Sequence, residues 1–198
     1  MSKPIWVWKL GGSLLNLDDI PRRLDQAVAS FPHRPLLVVG GGSIADAVRD
    51  WDKRFQIGED QSHVLALRAM ELNAHLMTTI WPRGLLVTDR SAADSAWRND
   101  RVPILQTRLF LDDEERRDAA GLPSILPLPH TWEATSDTIA AWITLRWPAD
   151  GLMLLKSIDR PLNDLGDAVD PAFSRFVDHI PSLKWLNLRT YYLSTHRF

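Results

Sequence analysis

The chain has 198 residues, 45% of them hydrophobic and 24% charged, with a formal net charge of -2 and a sequence pI near 6.3. That balance suits one globular domain with a sizeable core and excludes collagen-like, disordered and disulfide-stapled classes. With no cysteine there is no thiolate nucleophile and no Cys-ligated metal centre, and with no excess of positive charge there is no global field to recruit nucleic acid or an anionic membrane.

Ile5 to Leu10 reads as a short apolar strand that runs into Gly11, Gly12 and Ser13. Lys9 and the two glycines interrupt the apolar run too early for a signal peptide, and nowhere is there a stretch of roughly 18 apolar residues to cross a bilayer. The expectation is a cytoplasmic protein. Leu17 to Phe31 carries Ile20, Leu24, Ala27, Val28 and Phe31 at helical spacing. Pro35 to Val39 is near-continuously apolar, as a parallel strand buried on both faces should be. Gly40 to Gly42 follow directly, and Ser43 is placed to cap a helix with the stripe Ile44, Ala47, Val48, Trp51 and Phe55.

Residues 60–80 read as a long helix whose apolar positions exceed one stripe, so it should be buried on two sides and also serve a homodimer interface. Gly84 to Thr88 and Val102 to Leu105 read as strands, with a short polar helix over Ser91–Arg101 between them. The charge run Asp112 to Asp118 predicts an exposed helix or loop. The proline-punctuated stretch Leu122 to Pro129 predicts an edge strand and a loop. A helix carrying Ile139, Trp142, Ile143 and Leu145 comes next, then a buried strand, Gly151 to Leu155, that ends at Lys156. A helix over Pro171–His179 and a strand over Lys184–Leu188 complete a single α/β layered domain.

Three features carry chemistry. Glycines after a strand and before a helix expose backbone N–H groups at the positive end of a helix, which makes an anion site; either cluster alone also reads as a plain tight turn. Lys9 and Lys156 lie at strand ends, where open parallel sheets gather ligands. Two cations there suit a reaction that spreads negative charge over phosphoryl oxygens, although each also reads as a surface lysine. Asp137 reads both as a first-turn carboxylate favoured by the helix dipole, with Thr135 or Ser136 as the cap, and as an acceptor that aligns lysine ammoniums.

Four blocks, Lys9-Leu-Gly-Gly-Ser13, Val38-Val-Gly-Gly-Gly42, Thr135-Ser-Asp-Thr-Ile-Ala140 and Leu154-Leu-Lys-Ser-Ile-Asp159, fall in the order seen in amino acid kinases. The chain resembles that superfamily of aspartate, glutamate and uridylate kinases from about residue 5 to residue 160. Within it, the second glycine loop followed by Trp51-Asp-Lys53, then Ser62-His63, and His130-Thr-Trp-Glu-Ala-Thr-Ser-Asp137 resemble the short kinases of methanofuran biosynthesis. Those kinases phosphorylate an aminomethylfuran phosphate with ATP and magnesium.

The resemblance implies a three-layer α/β/α sandwich around an eight-stranded, mainly parallel sheet, and ATP-dependent phosphoryl transfer with Mg2+ to a small anionic acceptor. By it, Lys9 and Lys156 stabilise the transferring group and Asp137 orients both lysines. Gly11, Gly12 and Ser13 would hold phosphate oxygens, and Gly40, Gly41 and Gly42 the acceptor anion. His63, Trp132 and Thr135 would line the acceptor pocket. Residues 1–150 would form the acceptor and phosphoryl side and 151–198 a shortened nucleotide side. The departures lie there: Lys156-Ser-Ile-Asp-Arg-Pro161 replaces the Thr-Asp-Val-Asp-Gly stretch of many relatives, only 42 residues follow Lys156, and Asn187-Leu-Arg189 stands where relatives have Asn-Gly. The alternative is a non-catalytic member that binds a small anionic or phosphorylated ligand as a sensor, storage protein or complex subunit.

His63, Glu71 and His75 share a helix, but Glu71 and His75 read as a surface i,i+4 pair and no metal site is expected. Trp132, with His130 before it, fits two uses, stacking on a flat heterocycle or closing the core. Trp6, Trp8, Trp51 and Trp142 fall at periodic positions and are expected to be packing residues. No nucleophile elbow and no hydrolase triad can be placed.

Overall fold

The computed structural model describes residues 3–119 and 126–194. Its strands are β1 (Ile5–Leu10), β2 (Arg34–Val39), β3 (Gly84–Val87), β4 (Val102–Leu105), β5 (Gly151–Lys156) and β6 (Leu183–Asn187). Its helices are α1 (Ile20–Ser30), α2 (Gly42–Phe55), α3 (Glu59–Ile80), α4 (Arg90–Arg98), α5 (Thr107–Ala119), α6 (Ser136–Arg146), α7 (Ser174–Val177) and α8 (Leu188–Ser194). The strands form one sheet in the order β3-β4-β2-β1-β5-β6, and every neighbouring pair is parallel. Helices cover both faces, which is the expected three-layer sandwich. The described residues supply six strands where the resemblance implies eight, because only β6 is added to the sheet after β5.

Side chains alternate along a strand, and that alternation sorts the core into two clusters. Trp6, Trp8 and Leu10 of β1 pack with Leu37, Val39, Met153 and Leu155 under α1 and α8. Val7 points the other way, to Leu36, Val38, Leu152 and Leu154 under α6. Lys9 shares the Val7 face and Lys156 the Leu154 face, so both lysines emerge toward α6. That helix has almost no polar side, with every residue from Asp137 to Thr144 buried. A helix apolar all round belongs inside a layer, and α6 lies against β1, β2 and β5 on one side and α7 on another.

The long helix α3 joins both clusters, Leu67 and Met70 in one and Ala74 and Met77 in the other, as its wide apolar pattern predicts. It also leaves Val64, Leu72, Leu76 and Ile80 exposed.

Several local expectations are corrected. The first helix begins at Ile20, with Pro21 in its first turn, after a 3-10 turn over Gly12–Asn16. Gly41, not Ser43, is the cap residue of α2. Val48 is that helix's buried residue, while Trp51 and Phe55 stand 49% and 66% exposed, so Trp51 is not a core residue. The stripe continues through the last turns of α2 after the surface it packs on has ended. The charge run lies in α5, but it is not wholly exposed: Glu114 is buried against Arg90 (2.8 Å), and Asp118 pairs with Arg146 of α6. The helix expected over 171–179 is a 3-10 turn, Pro171–Phe173, followed by the single turn of α7. The strand expected over 122–129 falls partly outside the described residues, and Leu126 to Pro129 is not a strand.

Candidate phosphoryl-transfer site

The ends of β1 and β5 lie side by side, with Lys9 in register with Leu154. Between them comes Asp137 from the first turn of α6. Its Oδ1 is 2.9 Å from Lys9 Nζ, and its Oδ2 accepts a 2.6 Å hydrogen bond from Lys156 Nζ. One buried carboxylate thus holds two ammoniums. Burial alone would raise the Asp137 carboxyl, but the charges of Lys9 and Lys156 outweigh it and hold the group below its ordinary value. Burial, and then repulsion from Lys9, push Lys156 below its ordinary value, against the attraction of Asp137. Lys156 also donates to the carbonyl of Ala168 (2.7 Å) and sits 5.5 Å from the Trp185 ring centre.

The glycine loops meet beside this group. A Cβ on Gly12 would lie 2.3 Å from both Cα and N of Gly42, and Gly42 itself has φ +53°, a conformation glycine tolerates best. The amides of Gly11 and Gly40 are spent extending the sheet, on Leu155 O and Leu10 O at 2.9 Å each. Both amides, each expected at a bound anion, are thus already engaged by backbone carbonyls. Gly12 begins a 3-10 turn, and Gly41 and Gly42 begin α2, positions whose N–H groups have no partner within their helix. Ser13 Oγ lies 3.1 Å from Ser157 Oγ, bridging the first loop to the end of β5.

Beside the second glycine loop a cavity of about 230 Å³ opens between α2, α3 and the segment before α6. Gly41, Gly42, His63, Trp132, Thr135 and Ser136 line it, with Leu67, Met70 and Ile139 as an apolar floor. All three residues expected at an acceptor pocket, His63, Trp132 and Thr135, come together here. His63 is buried and stacks on His130 with ring centres 4.4 Å apart, and His130 in turn bonds Glu115 (2.8 Å). Burial, with His130 adding to it, lowers the His63 pKa to about 4, so the ring is neutral at ordinary pH. Trp132 donates to Asp52 Oδ2 (2.7 Å), under the Arg49 guanidinium 4.7 Å from its ring centre.

The Thr135 hydroxyl is not free for a ligand, since it donates to Asp170. Thr135 is the cap residue of α6, as expected, but its side chain makes no capping bond. Asp170 takes that role, its Oδ2 accepting from the amides of Asp137 and Thr138 at 2.9 Å each. Asn73 is a second residue that sequence reasoning missed; its Nδ2 donates to the carbonyls of Gly40 (2.8 Å) and Gly41 (2.9 Å) and pins the second glycine loop. Glu71 is taken by Arg108 (3.2 Å). Among the described residues no group of three or more His, Cys, Asp or Glu is placed to hold a metal ion, and no helix is long and apolar enough to cross a membrane.

A search of curated proteins by sequence gives no match. Among solved structures, the fold is similar to the UMP kinase of Ureaplasma parvum, with TM-score 0.62, 13% identity, and 94% of this chain and 90% of that one covered. It is similar to the UMP kinase of Bacillus anthracis, with TM-score 0.61, 12% identity and coverage of 99% and 94%. The uridylate kinase of Archaeoglobus fulgidus gives TM-score 0.52 at 20% identity, with coverage of 82% and 69%. These likenesses concern the fold. The family model for the amino acid kinase family matches residues 4–172, from β1 past the Asp170 cap, and the chain belongs to that family.

Proposed function

We propose that the protein transfers a phosphoryl group from ATP to a small anionic acceptor seated in the cavity between α2 and α3. The observation that carries this reading is the buried Lys9–Asp137–Lys156 group. Two ammoniums held by one carboxylate stand at the mouth of two glycine loops. Fixed positive charge in a water-poor site stabilises the charge that spreads over the equatorial oxygens as the acceptor oxygen bonds phosphorus and the bond to ADP breaks. Lys9 and Lys156 would neutralise that charge, and Asp137 would hold both. Gly12 would offer its amide to the moving group, and Gly41 and Gly42 theirs to the acceptor anion. ATP would approach from the 151–198 side.

The two carboxylates nearest the lysines are committed, Asp137 to the ammoniums and Asp170 to the start of α6. Mg2+ would therefore be held through the nucleotide's own phosphates more than by this chain. A cavity of about 230 Å³ falls below the roughly 300 Å³ at which drug-sized pockets begin. It suits a single-ring acceptor lying against Trp132, and an aminomethylfuran phosphate is of that kind. The exposed stripe on α3 suits pairing with a second copy of the chain.

One observation favours a second reading, anion binding without transfer: Lys156 spends two of its three donors inside the protein, on Asp137 and Ala168. Calorimetric titration with Mg-ATP and a non-hydrolysable analogue separates the two. Binding that weakens in Lys156→Ala is the kinase result. No heat and no thermal shift with any nucleotide would leave the anion-binding protein.

A further inference from the structure

Asp170 lies 33 residues beyond Asp137, on the far side of β5, in a Val-Asp-Pro stretch that reads as an ordinary turn. Its carboxylate takes the Thr135 hydroxyl and the Asp137 and Thr138 amides together. Residues 166–173 thus grip the site twice, since the Ala168 carbonyl accepts from Lys156. We propose that Asp170 is a positioning residue of the phosphoryl-transfer centre: it fixes the backbone that carries Asp137 and adds a negative charge facing Lys156.

Charge counting gives the physical reason. Lys9 and Lys156 bring two positive charges into a buried site, and Asp137 answers one. The charged groups facing Lys156 are Lys9 from β1, Asp137 from α6 and Asp170, with the Trp185 ring of β6 beside it. Burial and Lys9 both favour loss of its proton; Asp137 opposes that loss most, and Asp170 adds to that opposition. A neutral residue of the same reach, asparagine, offers the same amides an oxygen without that effect, so the charge at position 170 is separable from the capping bonds.

The test separates charge from capping. The chain has five lysines, Lys3, Lys9, Lys53, Lys156 and Lys184, so lysine 13Cε NMR is tractable, with Lys156→Arg assigning the signal. In Asp170→Asn, which keeps a capping oxygen and loses the charge, the Lys156 titration should move to lower pH. Asp170→Glu should restore part of the shift. Asp170→Ser reads the same way and decides the matter if the Asn variant does not fold. A Lys156 titration unchanged in a folded, uncharged variant would overturn the assignment and leave Asp170 a helix cap.

The turnover consequence rests on the kinase reading: kcat should fall on the order of tenfold with KM little changed, and the alkaline limb of the pH profile should follow Lys156 downward. The NMR measurement needs no substrate. A protein that turns over no nucleotide but shows the Lys156 shift would refute the kinase reading and keep Asp170 as the counter-charge.

Discussion

Gly12 and Gly42 touch backbone to backbone, so closely that a Cβ on Gly12 would lie 2.3 Å from Gly42 Cα. The contact joins the loop after β1 to the loop after β2 and sets the gap between the lysine group and the cavity. Gly12→Ala should force the loops apart and cost about 1–3 kcal/mol, the scale of overpacking in a tight region. Urea denaturation of the variant checks this. A midpoint equal to that of the parent would mean that the loops yield freely and do not fix the site.

The buried Lys9–Asp137–Lys156 group predicts a large penalty for removing its centre. Asp137→Ala leaves two buried ammoniums without their shared carboxylate, and breaking a buried pair in this way costs roughly 3–5 kcal/mol. The pH dependence has a definite sign. The folded pKa of Asp137 lies below its unfolded value, so its stabilisation is present above about pH 4 and fades as pH falls through the folded pKa. Denaturant midpoints of parent and Asp137→Ala should be well separated at pH 7 and converge in acid.

Turnover should follow the same group. If the protein is a kinase, Lys9→Ala loses a charge that acts on the transition state, and kcat should drop on the order of 10²-fold or more, the scale of losing one oxyanion-type donor. Steady-state rates with a panel of phosphorylated single-ring acceptors measure it. Near-parental kcat would remove Lys9 from the mechanism.

These three residues were legible in the sequence because each sits in a short, ordered context. Lys9 and Lys156 end apolar runs, and Asp137 opens a helix. Asn73 and Asp170 carried no such signal. Asn73 sits among apolar helix positions, and Asp170 precedes a proline, so their meaning lies in partners more than 30 residues away. The same cause explains α5. A run of acids and bases reads as solvated until Arg90 and Arg146, from two other helices, claim Glu114 and Asp118. Trp51 errs in the opposite direction, since periodicity marks the apolar stripe of α2 but not where its support ends.

His63 predicts a second, separate acid response. Its folded pKa of about 4 lies below the unfolded 6.5, so between those values the unfolded chain binds a proton that the native ring refuses. Stability should be full above pH 6.5 and decline toward pH 4, by up to about 3 kcal/mol. In His63→Gln the decline over that window should largely vanish, while the loss at lower pH due to Asp137 remains. Thermal melts at half-unit pH steps resolve the two. A parent whose Tm is flat from pH 7 to pH 4.5 would show that the His63–His130 stack opens to admit the proton without resistance.

The outer stripe of α3 leads to the last prediction. Val64, Leu72, Leu76 and Ile80 recur at multiples of four residues, are 38–56% exposed, and leave a ridge of branched side chains along most of the helix. Water-exposed ridges of this kind are disfavoured in a monomer, and a second copy of the same helix offers the complementary grooves. The protein should therefore sediment at about twice its 22.5 kDa chain mass. Leu72→Arg places like charges opposite one another across a two-fold contact and should give the monomer with the fold intact. A parent that sediments as a monomer at micromolar concentration would refute pairing through α3. A variant that remains dimeric would place the interface elsewhere on the surface.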